Sequence, residues 1–189
     1  MKPFEFVLII ISVIVGLALT EFAIGVAYMI QNYDTAHYYW PYIVLMAVGF
    51  MSCMTYWATV YKLRKIPTWT IAHIGLVFSS GLLLFVMAKI YFPDPNKFDL
   101  DYEKYFNNNV RTLFSLMICF VISYSLEAIV IRKVRQIRKF VMMFLFVLVT
   151  LSGIIISNSL YISVLTIVLF LMQLFYMSRT NFSIADKEG

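Results

Sequence analysis

The amino-acid sequence predicts an all-α integral membrane protein, and two observations carry that fold class. Hydrophobic residues make up 62% of the 189 residues and charged residues only 13%, whereas a soluble domain is usually ~45–50% apolar and ~25% charged. The apolar residues also lie in runs long enough for membrane helices of ~20 residues, without the polar alternation of lipid-facing strands. The composition excludes a soluble globular enzyme, a disordered chain and an ordinary nucleic-acid-binding protein.

Six apolar runs predict six transmembrane helices in a single bundle over residues 1–189. They cover Phe4 to Ile30, Tyr39 to Tyr61, Thr68 to Phe92, Asn108 to Ile131, Phe140 to Ile156 and Leu160 to Met177. The first run is too long for a signal peptide and lacks a small-residue cleavage site, so we expect it to be retained. The fifth is the shortest, near the lower limit of ~17 residues for a span.

Polar residues and prolines separate the runs. The first ends in Gln31-Asn32-Tyr33-Asp34, and Pro41 lies in the opening turn of the second, where its missing N–H costs nothing. Pro67 and the segment Pro93-Asp94-Pro95 bound the third run, and Ser157-Asn158-Ser159 predicts a tight hairpin between the last two.

The distribution of lysine and arginine predicts the orientation. With six spans, eleven of the fifteen basic residues lie on the side of the two termini, and only Lys97 and Lys104 lie on the opposite side. Cytoplasmic loops carry the excess of basic residues. We therefore expect cytoplasmic N- and C-termini, in a bacterial plasma (inner) membrane.

Two loops carry opposite charge. The basic segment Arg132–Lys139 is interpreted as a topology determinant that meets anionic lipid; RNA binding is the alternative, and we expect no nucleic-acid partner. The external loop before the fourth span is acidic, with Asp94, Asp99, Asp101 and Glu103. Its aromatic residues Phe98, Tyr102, Tyr105 and Phe106 recur at helical spacing, which predicts an outward extension of the fourth helix or an interfacial helix. A cation-collecting vestibule is the alternative to plain solvation.

The sequence contains no signature of an enzyme or a metal site. Cys53 and Cys119 are isolated in apolar runs, so both are interpreted as small buried hydrophobic residues. His37 and His73 fall on opposite sides of the predicted bundle, and the common hydrolase and nucleotide motifs are missing. We expect neither catalysis nor a cofactor.

Four charged residues lie inside the predicted spans, at a cost of at least ~2.5 kcal/mol each for insertion. They are Glu21, Lys89, Arg111 and Glu127. Because intramembrane charges usually pair, we expect Glu21 to form an ion pair with Lys89 or Arg111. The alternative is an ion or proton site with a raised carboxylate pKa.

A polar stripe runs along the fourth helix. At 100° per residue, one face of roughly 80° holds the stripe, with Arg111 and Glu127 at its margins; its members are Asn108, Thr112, Ser115, Cys119 and Ser123. The common outcome of such a stripe is polar contact between helices. A water-lined path, in one chain or on an oligomer axis, is the functional alternative.

Glu127 and His73 fall at similar depth near the cytoplasmic side. A pair between them is a candidate pH-sensitive latch or proton relay. Alternatively, Glu127 pairs with Arg64 or Arg132 at the interface, and His73 is an ordinary packing residue.

These features support three functional hypotheses. The first is a homo-oligomeric channel-like or sensing bundle for ion transport, with its polar path along the fourth helix. The second is a non-conducting accessory or scaffold subunit that binds a partner membrane protein. The third is a small-solute secondary transporter with inverted halves, in which Glu21 and Glu127 lie at opposite depths.

Overall fold

The computed structural model describes residues 3–66, 68–93, 100–131, 137–156 and 158–179. The described chain contains six α-helices: α1 (Pro3–Gln31), α2 (Trp40–Tyr61), α3 (Ile71–Tyr91), α4 (Tyr102–Val130), α5 (Ile137–Ile155) and α6 (Ser159–Arg179). A short 3-10 turn, Lys62–Lys65, follows α2. Some of the features predicted from sequence lie outside the described residues, namely Lys2, Pro67, residues 94–99, the basic residues 132–136, Ser157 and Lys187.

The helical class predicted from the sequence is confirmed. Five of the six helices are long and apolar enough to cross a membrane, and the apolar stretch of α5, Phe140–Ile155, is shorter. The fifth predicted span is therefore the shortest, as expected. The bundle has the composition of an integral membrane protein.

Side-chain caps explain where two helices begin. The Thr70 hydroxyl accepts a hydrogen bond from the backbone N–H of His73, so α3 begins at Ile71 instead of Thr68. The Asp101 carboxylate accepts from the N–H of Lys104 at 2.9 Å, so α4 begins at Tyr102, six residues before Asn108. The predicted extension of the fourth helix is therefore present.

The helices α2 to α6 form a ring, because each packs against the next and α6 packs back against α2. Helix α1 lies outside the ring, in contact with α2 and α3. It runs parallel to α3, since Phe4 packs near Trp69 at one end and Gly25 lies against Phe92 at the other. This leaves a space enclosed by five helices.

The two ends of the bundle differ in composition. At the tyrosine end, where residues 32–39 and 100–101 lie, Tyr38 stacks on Tyr102 with ring centroids 5.5 Å apart. There the backbone of His37 bonds to both Leu100 and Tyr102, which joins the two loops. At the basic end lie residues 62–66 and 68–70, the end of α4 and the start of α5. The ring is thus closed by an aromatic layer at one end.

Candidate functional site

The central cavity is a space of about 70 Å³ inside the ring of α2 to α6. Its lining is rich in methionine and aromatic side chains. The other lining residues are Ser52 and Thr55 of α2, Val121 of α4 and Gln173 of α6. The lining residues are Ser52, Thr55, Tyr56, Met87, Met117, Phe120, Val121, Tyr124, Met142, Met143, Phe146, Met172, Gln173 and Tyr176. The volume equals roughly five water positions at ~10–15 Å³ each.

The central cavity has two unlike walls. On the wall made by α2, α3 and α4, Tyr56 and Met87 are 1% exposed and Met117 is 3% exposed. On the wall made by α5 and α6, the lining residues such as Met143 and Met172 are only half-buried. The cavity is therefore thinly covered between α5 and α6.

A directed chain of hydroxyl groups lies on one side of the central cavity. The Thr59 hydroxyl donates to the carbonyl of Thr55 at 2.9 Å, so it accepts from the Tyr124 hydroxyl 3.1 Å away. The Tyr124 hydroxyl, having donated its single hydrogen, accepts from that of Tyr176 at 2.9 Å. These bonds fix the two tyrosine rings across α2, α4 and α6.

Gln173 adds an amide beside this chain. Its Nε2 donates to the Thr55 hydroxyl oxygen at 3.5 Å. Its second N–H and its carbonyl oxygen make no hydrogen bond to the residues that the structure describes. The side chain is half-buried in the cavity lining. It can both donate to and accept from a molecule that enters the cavity.

The predicted polar stripe of α4 divides into a surface part and a buried part. Ser115 and Cys119 are exposed, and so is Arg111. Ser123 is buried, and its hydroxyl lies 3.0 Å from that of Ser79 and 2.8 Å from that of Ser80. The stripe therefore changes from bundle surface to helix contact along its length.

The prediction that both cysteines are buried is wrong for Cys119. Cys53 is fully buried, whereas Cys119 is exposed. Hydrophobic sequence around a residue does not distinguish a membrane-facing position from an interior one, because the bilayer is apolar too. Cys119 lies on a surface of α4.

The surface part of the stripe does not reach the central cavity. Helix α4 contributes Met117, Phe120, Val121 and Tyr124 to the cavity, at the helical spacing of a different face. Ser115 and Cys119 lie outside that face. A polar path along these two residues would have to run at the surface of the bundle.

Glu21 and Lys89 form an ion pair. Lys89 Nζ lies 3.0 Å from Glu21 Oε1 and 3.1 Å from Oε2. Lys89 lies in the last turn of α3. It contacts Glu21 because α1 and α3 are parallel neighbours. Of the two cations considered from sequence, Lys89 thus makes the contact with Glu21. Arg111 is exposed on α4.

Glu127 and His73 lie near the basic end. Glu127 is fully buried on α4. His73 is half-buried, its ring is edge-on to Trp69 at 6.4 Å, and its Nδ1 has no hydrogen bond to any described residue. The predicted latch is therefore not formed through His73 Nδ1.

The sequence reasoning missed the residues of the central cavity. Gln173 carries the clearest signal, because it is an amide in the middle of an apolar run. Met142, Met143 and Met172 carry none, since methionine is ordinary in membrane helices and core packing. Only the ring arrangement brings them to one cavity.

Comparisons with protein-family models, curated proteins and solved structures give no match for this chain. The class of protein is therefore defined by the fold, the composition and the central cavity alone. It is an all-helical bundle with the composition of a membrane protein and an apolar cavity between five helices.

Proposed function

We propose that the chain is a six-span membrane bundle, with cytoplasmic termini, that binds a lipid-soluble molecule in the central cavity. The observation that carries the proposal is the lining: methionine and aromatic side chains with the Gln173 amide and the Tyr124–Tyr176 hydroxyls on one side. Ligand sites are typically apolar spaces with a few polar groups that orient the ligand, and they occur between helices of bundles. At about 70 Å³ the central cavity is smaller than the ~300–1,000 Å³ of such sites, so the ligand must also displace side chains of the α5–α6 wall.

The thin cover between α5 and α6 supports an entry route from the bilayer. Met143 on α5 and Met172 on α6 are half-buried, whereas the opposite wall is almost fully buried. Methionine is unbranched and adapts its shape. A ligand that enters between α5 and α6 displaces flexible side chains and leaves the α2–α3–α4 wall unchanged.

The polar groups select the chemistry of the ligand. The Gln173 amide offers an N–H donor, and the tyrosine hydroxyls lie beside it. A neutral molecule with an apolar body and one ester, ketone or amide oxygen satisfies both the lining and the donor. A charged head group is disfavoured, because the described residues that line the central cavity include no acidic or basic side chain.

The proposed role is sensing, without a catalytic step or a cofactor. Occupancy of the central cavity moves α5 relative to α6, because these two helices form its adaptable wall. Helix α5 begins and helix α6 ends at the basic end, which is the cytoplasmic end in the proposed topology. Ligand binding is thereby transmitted to the cytoplasmic side.

Two neighbouring substitutions test the proposal. Met172→Trp fills the central cavity, whereas Leu171→Trp adds the same indole at a position that is 57% exposed on the outside of α6. The measurement is native mass spectrometry of the full chain titrated with monoolein, a neutral ester lipid. We expect one saturable adduct for wild type and Leu171→Trp and its loss in Met172→Trp. Equal adducts in all three proteins would contradict the proposal.

A second candidate function is a homo-oligomer with a polar path between copies. It is favoured by the exposure of Arg111, Ser115 and Cys119 on one surface of α4. A bifunctional maleimide applied to membranes tests it through Cys119, with the buried Cys53 as an internal control. Cross-linked dimers that vanish in Cys119→Ser support assembly, and cross-links to another protein support the scaffold hypothesis instead. Monomer alone argues against both.

The transporter hypothesis finds less support in the packing of the helices. Inverted repeats pack their helices in equivalent ways. Helix α1 packs along α3, but within the described residues α4 and α6 form no comparable helix pair. We therefore rank the transporter hypothesis below the lipid-binding sensor and the homo-oligomer.

A further inference from the structure

The pocket around the Glu21–Lys89 ion pair has the features of a second binding site. This ion-pair pocket has a volume of about 430 Å³ and lies between α1, the end of α3 and the start of α4. Its walls include Tyr28, Phe92 and Tyr102. The volume is within the ~300–1,000 Å³ of typical small-molecule sites. It shares no lining residue with the central cavity.

The two charges of the pair are unequally accessible. The Lys89 side chain is 64% exposed and the Glu21 side chain only 23% exposed. An ion pair with a largely exposed member contributes little to stability, yet charged residues in membrane helices are rare and usually functional. The arrangement holds the carboxylate in place and presents the ammonium group at the mouth of the pocket.

Hydrogen-bond capacity remains on both partners. An ammonium group has three N–H donors, and Lys89 directs two of them at Glu21. A carboxylate has about four acceptor positions, of which Lys89 uses two. The pair can therefore bind an anionic and a cationic group side by side while it stays intact.

The aromatic walls favour an ammonium group next to Glu21. Ammonium and quaternary ammonium groups bind over the faces of aromatic rings. Phe92 is fixed by its edge-on contact with Phe22 at 5.7 Å and by its close approach to Gly25. Tyr102 is fixed by stacking on Tyr38, which covers one face of its ring, and it is 1% exposed. Phe92 and Tyr102 are thus held in place in the wall of the pocket that also contains Glu21.

We propose that the ion-pair pocket binds a zwitterion that carries a phosphate and an ammonium group. The phosphate pairs with Lys89 at the mouth, and the ammonium group lies between Glu21 and the aromatic rings. Two sources supply this chemistry: the head group of phosphatidylethanolamine or phosphatidylcholine, and a water-soluble molecule such as phosphoethanolamine. The proposal is independent of the central cavity.

The test measures lipid preference of the full chain by native mass spectrometry. The protein is titrated with phosphatidylethanolamine and, separately, with phosphatidylglycerol, which has the phosphate but lacks the ammonium group. We expect wild type to bind phosphatidylethanolamine more tightly, and Glu21→Gln to weaken that binding about tenfold or more. Phosphatidylglycerol binding is expected to stay equal or to tighten, because the neighbouring carboxylate no longer repels the phosphate. Glu5→Gln, an exposed glutamate at the other end of α1, is the matched control.

Further arms separate binding from structure and identify the source. Lys89→Met is expected to weaken binding of both lipids, and the double variant Glu21→Gln/Lys89→Met is expected to fold without any preference between them. Binding of soluble phosphoethanolamine at least as tight as that of phosphatidylethanolamine assigns the water-soluble source, and weaker binding or none assigns the lipid. Equal affinity of wild type for both lipids, or a preference retained in Glu21→Gln, would overturn the proposal.

Discussion

The two walls of the central cavity are built from the same kinds of residue but differ in how tightly they are held. Met117, on the α2–α3–α4 wall, is 3% exposed and accepts a hydrogen bond from the Tyr91 hydroxyl at 3.7 Å. Met172, on the α5–α6 wall, is half-buried. One wall is part of the close-packed core, and the other is a cover that can move.

This difference shows how a small bundle can combine stability with access from the bilayer. Close packing on three helices fixes the shape of one side of the cavity, because interior packing tolerates little change in volume. Flexible methionines on the other side fill irregular space at low cost. Substitutions that compare the two walls test whether this division is real.

The largest expected difference is between two truncations of the same residue type. Met117→Ala removes a fully packed side chain and is expected to lower the free energy of unfolding by about 2–5 kcal/mol. Met172→Ala is expected to lower it by less than half as much, because its neighbours already leave it half-exposed. Unfolding in mixed micelles with increasing denaturing detergent measures both. Equal losses would show that the walls do not differ.

A glycine at the tyrosine end fixes where the α5–α6 wall is anchored. A Cβ on Gly153 would meet the Phe114 ring and lie 2.7 Å from Leu165 Cδ2, so α4, α5 and α6 meet closely there. Gly153→Ala is expected to cost about 1–3 kcal/mol from overpacking. Gly75→Ala is the control, since nothing lies within 4 Å of its added Cβ. Thermal unfolding of the two variants measures the contrast, and a neutral Gly153→Ala would mean that α5 is not anchored.

The smallest expected effect concerns the divided stripe of α4. Ser123→Ala removes the contacts with Ser79 and Ser80 and is expected to cost about 0.6 kcal/mol, with an upper value of ~1.7. Ser115→Ala, at an exposed position on the same helix, is expected to change stability by less than ~0.5 kcal/mol. The same micelle unfolding assay compares them. A larger effect at Ser115 would place that residue in a contact between copies.

The helices were predictable from the sequence because each apolar run is long and its ends carry prolines or polar residues. Starts were less accurate where a cap decided them: the Thr70 and Asp101 side chains set the first residues of α3 and α4. The pairing of Glu21 with a cation was also predictable in kind. The choice of Lys89 required the parallel packing of α1 on α3, which no local pattern encodes.

The central cavity was not predictable for a related reason. Hydrophobic periodicity distinguishes faces when water surrounds the protein, but in a bilayer both the interior and the exterior are apolar. Met143 and Phe144 are adjacent apolar residues of the same run, and no sequence pattern distinguishes them. Met143 nevertheless lines the cavity, and Phe144 is 62% exposed. The mistaken burial of Cys119 has the same cause.

The most direct test of the central claim uses that neighbouring pair. A diazirine-bearing monoacylglycerol is photolysed in vesicles that contain the full chain, and the labelled residues are mapped by mass spectrometry with and without excess monoolein. We expect label on Met143 and Met172 that excess monoolein removes, and label on Phe144 that it leaves in place because bulk lipid is never saturated. Label confined to Phe144 and other exposed positions, with none on the cavity residues, would contradict a ligand site between α5 and α6.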